Sequence, residues 1–193
     1  MGWMLVHSIS ACYPEQPSLE DKKTVTDFMD AFCSTITCIH CRSHFTDIFN
    51  SYKRTIPSWL NSRRDLFIAI CRLHNTVNKK LDKPYPKTVS ECLDSLKNAT
   101  RYTSQFEFRK RYIEYLFRDW NNYGRGTSYQ FVALQNVKNM QRINETYWNL
   151  KEVSYDSLSF LEDNVITYQN QPLTSKITFG RSNIKNVRWA PKV

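Results

Sequence analysis

The sequence predicts a mainly α fold: four helices and a short fifth packed as a bundle over residues 1–97, then a second, mostly helical region over residues 98–193. Three observations carry this. Apolar residues recur three and four positions apart through much of the first hundred residues, the period of a helix with one face on a core. Breakers interrupt that pattern at short intervals, at Tyr13-Pro14, Pro57 and Asp82-Lys83-Pro84. Several short helices joined by short loops bury their apolar stripes by packing against one another.

Each element has its own signal. The first helix is predicted over residues 3–12 and stops at Tyr13-Pro14. Ser18 opens the second, with Asp21 three residues later in the place of the usual Glu or Gln of a capping box. Val25, Phe28, Met29 and Phe32 then follow at helical spacing. A third helix is predicted to open near Thr37 and to carry Cys41, Phe45, Ile48 and Phe49 on one side. The fourth runs from about Ser62 through Leu81, and the short fifth covers residues 90–97. Beyond residue 100 a basic, aromatic-rich helix is expected to end at Gly124, and residues 128–150 are expected to be helical again. Residues 152–193 read as polar and irregular, with ITYQ and KITF as possible short strands.

Composition narrows the class. The 193 residues are 41% hydrophobic, enough for a core, and no apolar run is long enough to span a membrane. The N-terminus lacks the charged start and long apolar stretch of a secretory signal, and Val6 stands where a myristoylation pattern wants Ser or Thr. The net charge of +9 is uneven: 12 Lys and Arg face 10 Asp and Glu in residues 1–96, against 15 and 8 in residues 97–193. A basic half can be a solvated surface or can meet nucleic acid, membranes or acidic partners. All six cysteines, Cys12, Cys33, Cys38, Cys41, Cys71 and Cys92, lie in the first half, which suggests that this half has its own redox or metal chemistry.

Three segments carry candidate chemistry. Cys71, His74, Asn75 and Asn78 share one face of the fourth helix, where a polar stripe is either solvated or bonded to a flat, polar heterocycle. Trp3 and His7, four apart, can wall such a ligand or be core and rim. Cys38 and Cys41, with Thr37 as cap, would sit in the first turn of a helix, where the dipole and open N–H groups stabilise a thiolate, and Arg42 adds positive charge. That pair can be a redox dithiol, two inert thiols, or, with His44 and either Cys33 or His40, a zinc site; no second CxxC or HxxxH pair supports zinc.

The order WxxxHSxxxxYP (residues 3–14), CxxCRxHF (38–45) and CxxHNxVNxKLxKP (71–84) resembles the flavin-dependent sulfhydryl oxidases of the Erv/ALR family over about residues 1–95. The resemblance implies an Erv-like helical bundle that pairs as a homodimer, binds FAD, and oxidises thiol-containing protein substrates with molecular oxygen, giving hydrogen peroxide. It implies that Cys38 exchanges with substrate and Cys41 lies against the flavin. Trp3, His7, Tyr13, His44, Cys71, His74, Asn75, Val77, Asn78, Lys80 and Lys83 would bind the cofactor, and Cys71 with Cys92 would form a structural disulfide. No bound metal is implied. The basic C-terminal half and the lack of targeting signals look like a member from a large DNA virus, acting in host cytoplasm at assembly sites or in the virion. Two departures stand out: Ala69 replaces a usual tryptophan, with Phe67 as a possible substitute, and the Cys71–Cys92 spacing is longer than usual, placing an insertion in residues 84–90. Cys12 and Cys33, on predicted core helices, are expected to be buried and not to act as a shuttle. The alternative from another class is a non-enzymatic zinc or nucleic-acid binding helical protein, for which the CxxC and the interleaved Arg, Tyr, Phe and Trp of residues 101–123 speak.

Overall fold

The structure, a computed structural model, describes residues 2–122, 126, 128–151 and 153–160. The segments ITYQ and KITF lie outside the described residues. Seven α-helices are present among those described: α1 (Gly2–Cys12), α2 (Leu19–Thr35), α3 (Ile39–Thr55), α4 (Arg63–Lys80), α5 (Val89–Thr100), α6 (Gln105–Asn122) and α7 (Ser128–Thr146). Short 3-10 turns occur at Pro57–Leu60, Trp148–Leu150 and Tyr155–Ser157.

Local chemistry sets the helix starts. Ser18 and Asp21 form the expected capping box: Asp21 N donates to Ser18 Oγ at 3.1 Å, and Ser18 N donates to Asp21 Oδ2 at 2.9 Å. Ser62 Oγ likewise accepts from Asp65 N at 3.1 Å, and Thr88 Oγ1 from Glu91 N at 3.3 Å. α3 departs from expectation, because Cys38 and not Thr37 is its N-cap. The extended backbone at Cys38 turns the chain into the helix, and its sulfur accepts from Cys41 N at 3.3 Å. α4 stops where Leu81 N reaches back to Val77 O and Asn78 O, and Asp82 then adopts φ 52°, a left-handed value that Asp tolerates better than most residues.

The main core crosses the boundary expected near residue 97. α6 packs on α1 and α7 packs on α2, so Tyr112, Leu116, Trp120, Val137 and Met140 share a cluster with Leu5, Ile9, Phe28 and Phe49. Two of the aromatics that made residues 101–123 look like a stacking surface, Tyr112 and Trp120, are inside. Helical spacing turns them to α1 and α2, and burying such rings is worth several kcal/mol. A second, smaller cluster joins Phe67, Cys71, Val89, Cys92 and Leu96 to Tyr155 and Leu158, so the segment after α7 seals α5 against α4.

Two polar knots lock the halves together. Arg109 of α6 is fully buried; its Nε donates to Asn144 Oδ1 at 2.8 Å, its Nη2 to Asn149 Oδ1 at 3.2 Å, and its Nη1 to Ser8 Oγ. A charge can be buried there because these bonds replace its water. At the start of α2, the Asp21 carboxylate also accepts from Tyr147 OH and from Lys151 Nζ, the latter at 3.0 Å. Burial alone would raise its pKa, but the bonds from Tyr147, Ser18 and Lys151 prevail and hold it below the usual carboxylate range.

Arg109→Ala removes the centre of the first knot and leaves Ser8, Asn144 and Asn149 short of a donor. It is expected to lower unfolding stability by about 3–5 kcal/mol in a urea titration. A loss under about 1 kcal/mol would mean that the knot does not hold α6 to α1 and α7.

Candidate active site

The CxxC pair is oxidised: Cys38 and Cys41 form a disulfide with their Cα atoms 5.2 Å apart, and both residues are exposed. The bond spans the N-cap and first turn of α3, where open backbone N–H groups and the positive end of the helix dipole favour a sulfur that leaves as thiolate.

Behind the disulfide lies a cavity of about 400 Å³. α3 contributes His40 and Cys41 from its first turn and His44 and Phe45 one turn later. α4 adds Val77, Lys80 and the following Leu81, and α1 adds Gly2 and Trp3. Phe32 and Ile36 come from the end of α2, and Tyr112 from α6. Gly2 leaves room for the Tyr112 ring, since a Cβ there would sit 3.1 Å from it and the ring would have to shift by a few tenths of an ångström. Cys41 lines this space and Cys38 does not, although both residues are exposed. Trp3, His44, Val77 and Lys80 of the expected cofactor residues are therefore brought to one site with Cys41. Phe32, Phe45, Leu81 and Tyr112 join them unannounced. Phe45 was legible only as a core position, and no local pattern tied Tyr112 to residues a hundred positions earlier.

A second group of expected residues adjoins Trp3 without lining the cavity. The Trp3 indole stacks on the His74 imidazole, with centroids 4.2 Å apart and planes at 15°. His7 Nε2 and His74 Nδ1 share a hydrogen bond at 3.0 Å, while His7 Nδ1 is buried without a bond partner. Burial pushes the His74 pKa down to about 4. Burial and then the neighbouring His74 lower that of His7, so both rings are neutral near pH 7. Burial and then the Lys80 charge lower that of His44.

Other expected cofactor residues have structural partners. Tyr13 OH is buried and donates to Leu60 O at 3.0 Å. Asn75 Nδ2 donates to Pro86 O at 2.7 Å, anchoring the inserted segment before α5. The backbone of Asn78 accepts from Lys83 N at 2.9 Å in the turn that ends α4, and the Lys83 side chain is exposed. Phe67 packs near His7 and Phe160 rather than in the cavity, so it does not replace a ring at Ala69. Cys71 and Cys92 are buried side by side, with their sulfurs 2.6 Å apart. Burial, and then the neighbouring Cys92, pushes the Cys71 thiol up.

Cys12 and Cys33 are buried as expected; burial and then Asp30 push the Cys33 thiol up to about 12, which makes it a poor nucleophile. The zinc set considered around Cys38, Cys41 and His44 does not assemble. Among the described residues, the group that brings three potential ligand atoms within 4.8 Å is His7, Cys71 and Cys92. No helix among the described residues is long and apolar enough to cross a membrane.

Comparison with known proteins agrees with this geometry. A family model described as "Erv1 / Alr family" matches residues 1–98. The mitochondrial FAD-linked sulfhydryl oxidase ERV1 of Saccharomyces cerevisiae is 37% identical over 83 residues, covering 43% of this chain and 42% of that protein. The FAD-linked sulfhydryl oxidase ERV1 of Arabidopsis thaliana is 33% identical over 81 residues, covering 42% of this chain and 40% of that protein. A putative FAD-linked sulfhydryl oxidase, 096R of Invertebrate iridescent virus 3, is 30% identical over 82 residues, covering 42% of this chain and 54% of that protein. The match thus spans roughly two fifths to one half of the length of these curated relatives. No solved structure gave a significant match. A family model that covers just over half of the residues, and every helix that carries the CxxC and its cavity apart from α6, assigns this chain to the Erv1 / Alr family.

Proposed function

We propose that the chain is an FAD-linked thiol oxidase that forms disulfides in protein substrates. The observation that carries this reading is the exposed Cys38–Cys41 disulfide, of which Cys41 lines a cavity of about 400 Å³. Its relatives' names point the same way.

The residues present fit such a cofactor. The cavity volume falls within the ~300–1,000 Å³ of ordinary ligand sites. Its walls are apolar and aromatic, as a flat ring system needs, and polar groups are few. Trp3, His44, Phe45, Val77 and Tyr112 would hold the ring system, with Lys80 and the nearby Lys83 available to the pyrophosphate charge. The unpartnered Nδ1 of His7, beside the Trp3–His74 stack, is a polar group without a use inside the protein alone. His7 and His74, both neutral, back the Trp3 wall without lining the cavity themselves.

The chemistry of the chain's own groups follows. A substrate thiolate attacks the Cys38 sulfur, which is exposed and away from the cavity, forming a mixed disulfide and releasing Cys41 as thiolate. The helix α3 dipole and the open N–H groups of its first turn favour that leaving group. A second substrate thiol attacks the sulfur bonded to Cys38, so the substrate leaves as a disulfide and Cys38 and Cys41 hold two electrons. When bound, FAD would supply two-electron acceptor chemistry for their reoxidation, with oxygen as final acceptor and hydrogen peroxide as product. Phe45, Trp3 and Tyr112 would give the apolar walls beside Cys41.

Cys71 and Cys92 belong to this reading as a structural disulfide that ties α5 to α4, supported by their contact and complete burial. A homodimer belongs to it too; α6 and α7 already cover α1 and α2, so a second copy would pair on a face those helices leave open. The likeness to the iridescent virus protein supports an origin in a large DNA virus and action at assembly sites or in the virion.

Cys41→Ser is expected to keep bound FAD and its yellow colour while thiol-dependent oxygen consumption falls to background; oxidation at the normal rate would remove the CxxC from the scheme. Alkylation of the denatured, unreduced chain is expected to leave Cys71 and Cys92 unlabelled until a reductant is added. Immediate labelling of both would contradict their pairing.

A further inference from the structure

The second half of the chain reaches the CxxC pair through the backbone on either side of it. α2 ends at Thr35, and the carbonyls of a last helical turn have no donor within the helix. Three successive carbonyls are taken by side chains instead. Ser34 O accepts from Tyr129 OH at 2.9 Å, Thr35 O from Trp120 Nε1 at 2.9 Å, and Ile36 O from Arg42 Nη1 at 3.1 Å. Ser34 Oγ also accepts from Asn136 Nδ2 at 2.9 Å. Trp120 stands on α6, and Tyr129 and Asn136 stand on α7.

The same two rings hold the other side of the pair. Arg42 directly follows Cys41, and its guanidinium lies 4.0 Å from the Tyr129 ring centroid and 5.7 Å from that of Trp120. Residues 34–36 before Cys38 and Arg42 after Cys41 are thus fixed to one aromatic pair. These bonds are not needed to join the halves, which already share a core and the Arg109 and Asp21 knots. They are concentrated within a few residues of the disulfide.

We propose that Trp120, Tyr129 and Arg42 form a clamp that positions Cys38 and Cys41 for thiol exchange, which makes the basic C-terminal half a working part of the oxidase. This rests on the thiol oxidase reading above. Holding the chain at both ends keeps the two thiols of the reduced state close, so their effective concentration stays high and ring closure is favoured. In exchange with dithiothreitol, the reagent gives up two electrons and closes to its own disulfide, and its two protons end on Cys38 and Cys41. A looser clamp shifts that equilibrium toward the reduced pair.

The test uses the full chain with Tyr129→Phe, which removes the donor and keeps the ring, Tyr129→Leu, which removes both, and Trp120→Phe. Tyr129 is 38% exposed, so its variants are expected to fold even if Trp120→Phe does not. The readout is the equilibrium constant of the Cys38–Cys41 pair against dithiothreitol, from alkylation and mass spectrometry, alongside the melting temperature. Tyr129→Leu is expected to shift the constant toward the reduced pair by about five- to tenfold and Tyr129→Phe by less, the ring rescuing part of the loss. A constant unchanged in Tyr129→Leu, with or without a lower melting temperature, makes the contact mere packing and overturns the clamp. A pair that fails to exchange in the unaltered chain, or oxidase activity that survives Cys41→Ser, is a separate failure of the oxidase reading, and the clamp falls with it.

Discussion

The site depends on where α3 begins. Because Cys38 is the cap and Cys41 lies in the first turn, one disulfide crosses the boundary between an extended chain and a helix. Both residues then meet solvent, and Cys41 alone of the two also lines the space between α1, α3 and α4. A start one turn earlier would place both cysteines inside regular helix, three apart on one face and without the open N–H groups that favour a leaving thiolate.

That start is held by what surrounds it. α2 must end at Thr35 for residues 36 and 37 to turn the chain, and the carbonyls exposed by that ending find donors on α6, α7 and α3. α2 is fixed at its other end as well, through Asp21 to Tyr147 and Lys151. The helix before the disulfide is therefore pinned at both termini by the half of the chain that the family model does not cover. Sharing of one core explains why no separation appears near residue 97 among the described residues.

Much of this was legible in the sequence where the cause is local. The capping box at Ser18, the stop at Tyr13-Pro14 and the cap at Ser62 follow from side chains reaching backbone a few residues away. The CxxC and the Trp3–His74 neighbourhood were legible through motif order. What failed was long-range. Tyr13 OH bonds Leu60 O and Asn75 Nδ2 bonds Pro86 O across loops, partners that no local pattern announces. Nothing in the basic composition of the second half marks Arg109 as buried, but helical phase turns it inward to Ser8 and Asn144. Tyr112 reaches the cavity only because α6 packs on α1, which no spacing within α6 announces.

If the cavity receives the flavin, Cys41 and not Cys38 lies beside it. A crystal structure of the FAD-saturated chain measures this most directly. The expected result is the ring system in the cavity lined by Trp3, Phe45 and Val77, in contact with Cys41 and not with Cys38. A flavin bound elsewhere, or packed side chains between it and Cys41, would contradict it.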